Sequence, residues 1–211
     1  MKKKILLASI VALTLALLVA VGGSIAWLVA ESTEIENVFT PSDINISLTE
    51  TPNLDFQMVP GDRLVKDPTV SVLNTTNVDV WLFVEVTESA NLDEYIAYAI
   101  ADGADGWKLY DGSDTGADAN SATVTKYVIF REVKVADTDK EFNILGNGVF
   151  GDQQWDANYV FVKPSVTKED METIYNDLNL KPTLTFKAVA VQTDNLTLQD
   201  AYAQAFPSTT P

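Results

Sequence analysis

The sequence contains no cysteine and no histidine. Those two absences exclude much chemistry. Without cysteine there is no disulfide, so stability must come from burial and backbone pairing. Without imidazole or thiolate the usual zinc sites cannot be built. A Ser-His-Asp or Cys-His nucleophile is equally impossible. Only carboxylate, lysine or tyrosine chemistry stays open. Positive charge is also scarce: 14 Lys and Arg stand against 30 Asp and Glu, a formal net charge of −16. Such a chain repels nucleic acid and anionic membranes, attracts cations, and self-associates in a salt-dependent way.

What is there begins with an apolar run. Lys2, Lys3 and Lys4 form a positive start, and Ile5 to Val21 follow with only Ser9 and Thr14 as polar interruptions. Gly22 and Gly23 break the helix. Ser24 and Ala26 then put small residues at the −3 and −1 positions of a signal-peptidase site, with Trp27 as the first residue after the cut. The rival reading is an uncleaved anchor, because a run of this length approaches the bilayer thickness and the Lys flank suits both. Cleavage after Ala26 leaves 185 of the 211 residues. It removes three lysines and no acid, which takes the charge from −16 to −19. The remainder is long enough for one domain with a core.

Beyond the cut, Trp27 to Thr40 passes from apolar to acidic residues. Asp43 to Thr49 alternates Ile44, Ile46 and Leu48 against Asn45, Ser47 and Thr49, the period of a half-buried strand. Pro52 and Pro60-Gly61-Asp62 mark turns. Leu64 to Leu73 reads as a strand in which Pro68 demands an edge or a bulge. The turn Asn74 to Asn77 and the apolar strand Val78 to Thr87 complete a long hairpin with it. Leu92 to Ile100 reads as a short helix. Asp102 to Asn120 reads as a Gly/Asp/Ala loop holding a short strand at Trp107 to Tyr110. Further strands are expected at Thr123 to Val135, Phe142 to Leu145, Tyr159 to Val162 and Leu184 to Gln192. Thr167 to Leu178 and Thr197 to Phe206 read as helices, each with a Thr N-cap and an Asp three residues on. Pro207 to Pro211 is expected to be a disordered tail. Seven or eight strands with few helices indicate an all-β chain, a β-sandwich with short helical insertions over 41–206.

These segments resemble a known family in their order. Gly22-Gly23-Ser24-Ile25-Ala26-Trp27-Leu28 is similar to the Gly-Gly-Thr-x-Ala-aromatic junction cut by the specialised signal peptidase SipW. Asn37-Val38-Phe39-Thr40 and the Ile44/Ile46/Leu48 strand resemble the segment that follows that junction. Pro60-Gly61-Asp62 with Lys66-Asp67-Pro68 resembles a Pro-Gly-Asp-x-hydrophobic-x-Lys block. Lys187 to Gln192 before Ala201-Tyr202 resembles the closing strand and helix. The family is that of TasA and camelysin, biofilm matrix fibre and surface proteins. The resemblance does not extend over Asp102 to Asp156, and Pro41-Ser42-Asp43 stands where the family usually has a Gly near the strand start.

The resemblance implies a jelly-roll domain, exported by its signal helix, trimmed, and assembled into extracellular filaments with copies of itself and possible matrix partners. It implies that Trp27 to Phe39 is a donor strand completing a neighbour's sheet, anchored by Trp27, Leu28, Val29, Ile35, Val38 and Phe39. The competing reading has the same segment pack as the first strand of its own domain. Membrane attachment would come only through an uncut signal.

Other constellations are weaker. Asp111, Ser113 and Thr115 occupy positions 1, 3 and 5 of an EF-hand-like loop with Gly116 at position 6, but Ala122 stands where a bidentate Glu is required. Asp111, Asp114 and Asp118, with Asp102 and Asp105, remain weak calcium candidates; no other cofactor is expected. Glu85, Glu88, Asp93 and Glu94 offer carboxylates for glycoside hydrolysis, but sequence proximity says nothing of their separation in space. Camelysin relatives are classed as metallopeptidases, and the lack of any His argues against that activity here. No catalytic residue is singled out, and the expectation is a non-enzyme. Trp81, Trp107 and Trp155 suit either a sugar-stacking surface or the core.

Overall fold

The computed structural model describes residues 43–52, 57–102 and 106–207. The chain divides into two compact units, Met1–Thr40 and Pro41–Pro211, and the described residues all belong to the second. The signal with Ser24 and Ala26, the segment Trp27 to Phe39, Asp105 and the tail beyond Pro207 lie outside them.

The fold is all-β: several antiparallel sheets with a few short helices. Its centre is β4 (Val80–Glu88), nine residues flanked along its length by β8 (Lys126–Val133) and β13 (Leu184–Gln192). The two-residue strands β6 (Lys108–Leu109) and β7 (Ala117–Asp118) extend this sheet beyond β8. Strand β4 is apolar almost throughout because both of its faces are covered. Val80, Leu82, Val84 and Val86 point into the main core, while Phe83 points the other way into a second cluster. That alternation is the period-two geometry of a strand.

The main core is completed by two three-stranded sheets. One holds β1 (Ile46–Thr49), β3 (Thr69–Val72) and β9 (Glu141–Asn143) in the order β1-β3-β9. It contributes Val70, Val72 and Phe142. The other holds β2 (Arg63–Val65), β12 (Tyr159–Val162) and β5 (Ile96–Ala97) in the order β2-β12-β5. It contributes Val160, Val162 and Ile96. A hairpin of β10 (Gly148–Phe150) and β11 (Gln153–Trp155) turns at Gly151, whose φ of +59° suits glycine. Its Trp155 stacks on Phe161 with ring centroids 5.5 Å apart.

The second cluster is roofed by the helix α3 (Leu198–Ala205), whose Leu198 and Ala201 are buried against Phe83, Val128 and Phe130. Thr197 and Asp200 form the expected reciprocal capping box. The same box, Thr167 with Asp170, starts α2 (Lys168–Asn176). Burying Phe83 completely contributes about 2–3 kcal/mol.

Three expectations are corrected. Leu64 to Leu73 is not one strand but two, β2 and β3, in different sheets. Pro68 interrupts it, having no N–H for a ladder, and its carbonyl accepts from Ile144 N–H. The hairpin of β3 with β4 does not exist, because β3 pairs with β1 and β9 and β4 with β8 and β13. The turn at Asn74 instead crosses between sheets, since the Thr76 hydroxyl is buried against the backbone of Asn45. In Leu92 to Ile100 only α1 (Leu92–Tyr95) is helical. Ile96 and Ala97 leave it to pair with Val162 and Phe161.

Candidate functional site

Two edge strands meet without joining. Among the described residues β13 has one strand neighbour, β4, and β1 has one, β3. Yet β1 and β13 have Cα atoms within 8 Å of each other. At that approach the edge of one sheet stands next to the edge of the other. No backbone hydrogen bond joins the two among the described residues. The side chains under this seam are incompletely covered. Ile44 and Ile46 on one side, and Phe186, Ala188 and Ala190 on the other, pack on the main core but remain partly exposed.

Side chains pin both ends of β1. At its start the Thr76 hydroxyl accepts from Asn45 N–H at 2.9 Å and donates to Asn45 C=O at 3.0 Å. Asp43 N–H donates to the side-chain oxygen of Asn77 at 3.0 Å. Past its end the carboxylate of Glu50 takes the Lys66 ammonium at 3.1 Å. The same ammonium lies 5.5 Å from the centre of the Phe186 ring on β13. The Thr51 hydroxyl and N–H both donate to Asp67, at 2.5 and 2.9 Å. Those bonds hold the Asp67 carboxyl below the usual carboxylate range. Lys66 is the hub of this end: the Lys66–Phe186 contact links residues 120 positions apart, and no local motif announces it. The seam as a whole was invisible in the sequence for the same reason.

The other candidates fall in different places. The Asp111 carboxylate accepts from Ser113 N–H and hydroxyl, an exposed turn that pulls its pKa down. The Asp118 carboxylate accepts from Asn120 N–H. Asp102 and Asp114 line the groove that Trp107, Arg131 and Phe142 also line. Among the described residues no three carboxylates converge as a metal site would require. Glu85 and Glu88 lie three apart on β4 and so take opposite faces. Glu85 pairs with Lys126 at 3.1 Å. Glu88 accepts from the Tyr98 hydroxyl, which sits 2.6 Å from the Tyr127 hydroxyl. Burial, with a smaller push from Asp93, raises the Glu88 carboxyl. Burial likewise raises Tyr98, and pushes Tyr127 up to about 12.

The three tryptophans form no common platform. Trp107 and Trp155 are buried, and Trp81 is half-buried with its ring edge-on to Phe130. Trp107 and Phe142 flank the Arg131 guanidinium, 5.7 and 3.6 Å from its carbon. This cluster floors a groove of about 930 Å³ rimmed by Glu132, Asp137, Asp139 and Glu141.

No family model, no curated protein and no solved structure matches the chain. Its functional reading therefore rests on its own residues and on the resemblance of its segments.

Proposed function

We propose that this chain is a secreted structural protein, a jelly-roll β-sandwich of the TasA/camelysin kind. It serves as a subunit of extracellular biofilm-matrix or cell-surface filaments. A peptidase of the SipW type cuts between Ala26 and Trp27. The freed segment Trp27 to Phe39 of one copy then adds as a strand to the next.

The observation that carries this reading is the outer edge of β13, which has no strand partner among the described residues and borders partly exposed core side chains. An unpaired edge offers a ladder of backbone donors and acceptors. An extended segment laid there gains those hydrogen bonds, and its alternate side chains cover Phe186, Ala188 and Ala190. Ile35 and Phe39 suit that task, being spaced an even number of residues apart and hence on one face. The surplus of acid gives assembly its control. At a charge of −19 per trimmed copy, like charges oppose association until salt screens them.

Purified Trp27–Pro211 is expected to form fibres visible by electron microscopy, and more of them as salt rises. Removing Trp27 to Phe39 leaves essentially the compact unit Pro41–Pro211, which should stay folded and monomeric. Fibres that persist after this removal would sink the strand-donation reading.

The groove floored by Arg131, Trp107 and Phe142 favours a second reading, a surface-associated accessory module that binds a matrix protein, polysaccharide or calcium. A monomer at every concentration, with retained binding to cell-wall material, would support it over the filament.

A further inference from the structure

The seam is too narrow for a strand as it stands. A strand seated between β1 and β13 needs about 4.8 Å on each side. The two strands already approach within 8 Å, so β1 must swing away before anything enters. Strand β1 is suited to move. It is four residues long, has one strand neighbour among the described residues, and buries no side chain fully. What holds its far end is therefore what sets access to the seam.

We propose that Glu50, Lys66 and Phe186 form a latch that keeps the seam shut in the isolated subunit. The Lys66 side chain is only 14 % exposed and reaches both strands at once. Its ammonium is drawn to the Glu50 carboxylate just past β1 and to the π-face of Phe186 on β13. The Thr51–Asp67 bonds hold the adjoining backbone in place, so the lysine stays positioned between the two. An incoming strand has to break the ion pair and uncover Phe186, whose ring it then covers in place of the ammonium. The latch is a barrier to entry rather than a part of the assembled interface. Releasing it speeds assembly without strengthening the fibre. This inference rests on the strand-donation reading for its consequence, but the latch itself is a property of the single subunit.

Two variants of Trp27–Pro211 test it. Lys66→Met keeps an apolar stem of similar length over Phe186 and removes the charge. Glu50→Gln removes the carboxylate and leaves Lys66 in place. Glu172→Gln, on the exposed face of α2, supplies the same change in net charge without touching the seam. Hydrogen exchange followed by mass spectrometry reads 44–51 and 184–192, and light scattering reads the lag before fibres grow. Loss of a partly buried ion pair and a cation–π contact predicts about five- to tenfold faster exchange in both segments for Lys66→Met. The lag should shorten by a similar factor, although Lys66→Met adds to the self-repulsion that slows association. Glu50→Gln should exceed Glu172→Gln in both readouts. Thermal unfolding of the same samples confirms that each variant is folded. Exchange unchanged by both seam variants, or a lag no shorter than that of Glu172→Gln, overturns the latch. Fibres that form without Trp27 to Phe39 overturn strand donation instead, and leave the exchange arm to decide the latch alone.

Discussion

Thr76 is the most informative single residue for how β1 is held. It is the one buried polar side chain among the described residues, at 4 % exposure. Its hydroxyl accepts from Asn45 N–H and donates to Asn45 C=O, while its own N–H reaches Leu73 C=O. Thr76→Val keeps the branched shape and deletes both side-chain bonds. Each such bond nets about 1 kcal/mol, and a part-buried backbone group left unpaired costs somewhat more. The substitution should therefore cost about 2–3 kcal/mol. For a chain of this size that is a fall in Tm of about 5–10 °C. Urea unfolding followed by tryptophan fluorescence measures the first number, and differential scanning calorimetry the second. A loss below about 0.5 kcal/mol would refute the reasoning, because it would mean that water satisfies Asn45 as well as Thr76 does. Hydrogen exchange at 44–51 should rise in the same variant, since this bond pair pins the start of β1.

Two further outcomes follow from local geometry. Thr197→Ala removes the capping box that starts α3 and should lower stability by about 1 kcal/mol in urea unfolding; no change would mean the helix is held by Leu198 and Ala201 alone. Glu88 gives a pH dependence. Burial raises its carboxyl above the ordinary 4.5, so folding favours the neutral form. Its contribution is most favourable below 4.5 and is lost as pH rises through the raised value. Glu88→Gln should thus be more stable than the parent at about pH 7 and match it near about pH 4. A variant no more stable at neutral pH would contradict the assignment.

Much of the fold was legible because local patterns and tertiary demands agree. Leu184 to Gln192 and Tyr159 to Val162 are strands over the spans their alternation and β-branched content indicate. Both Thr-to-Asp capping boxes start helices where the spacing places them. The failures share a cause. Whether Leu64 to Leu73 is one strand or two, and whether Asn74 to Asn77 closes a hairpin or crosses between sheets, is decided by contacts with Asn45 and Ile144, far away in sequence. Ile96 looks helical beside Leu92 until β12 claims it as a partner. Gly148, where an added Cβ would fall 2.0 Å from the Trp155 ring, marks a hairpin that no run of apolar residues announces. The seam is the extreme case: Glu50, Lys66 and Phe186 are unremarkable singly, and only the topology joins them.

Covalent trapping tests strand donation most directly, and the absence of native cysteine makes it clean. One batch of Trp27–Pro211 carries Ile35→Cys and a second carries Ala188→Cys. The two are mixed, allowed to assemble under mild oxidation, and run on a non-reducing gel. Val29→Cys and Val38→Cys take the place of Ile35→Cys in parallel mixtures, to cover neighbouring registers. A disulfide forms only where Cα atoms come within about 7 Å. Strand donation predicts a covalent dimer of unlike copies from at least one mixture, growing in step with the fibres. Fibres without any such dimer, together with cross-links that close inside single chains when both cysteines share one copy, would contradict it and return Trp27 to Phe39 to its own domain.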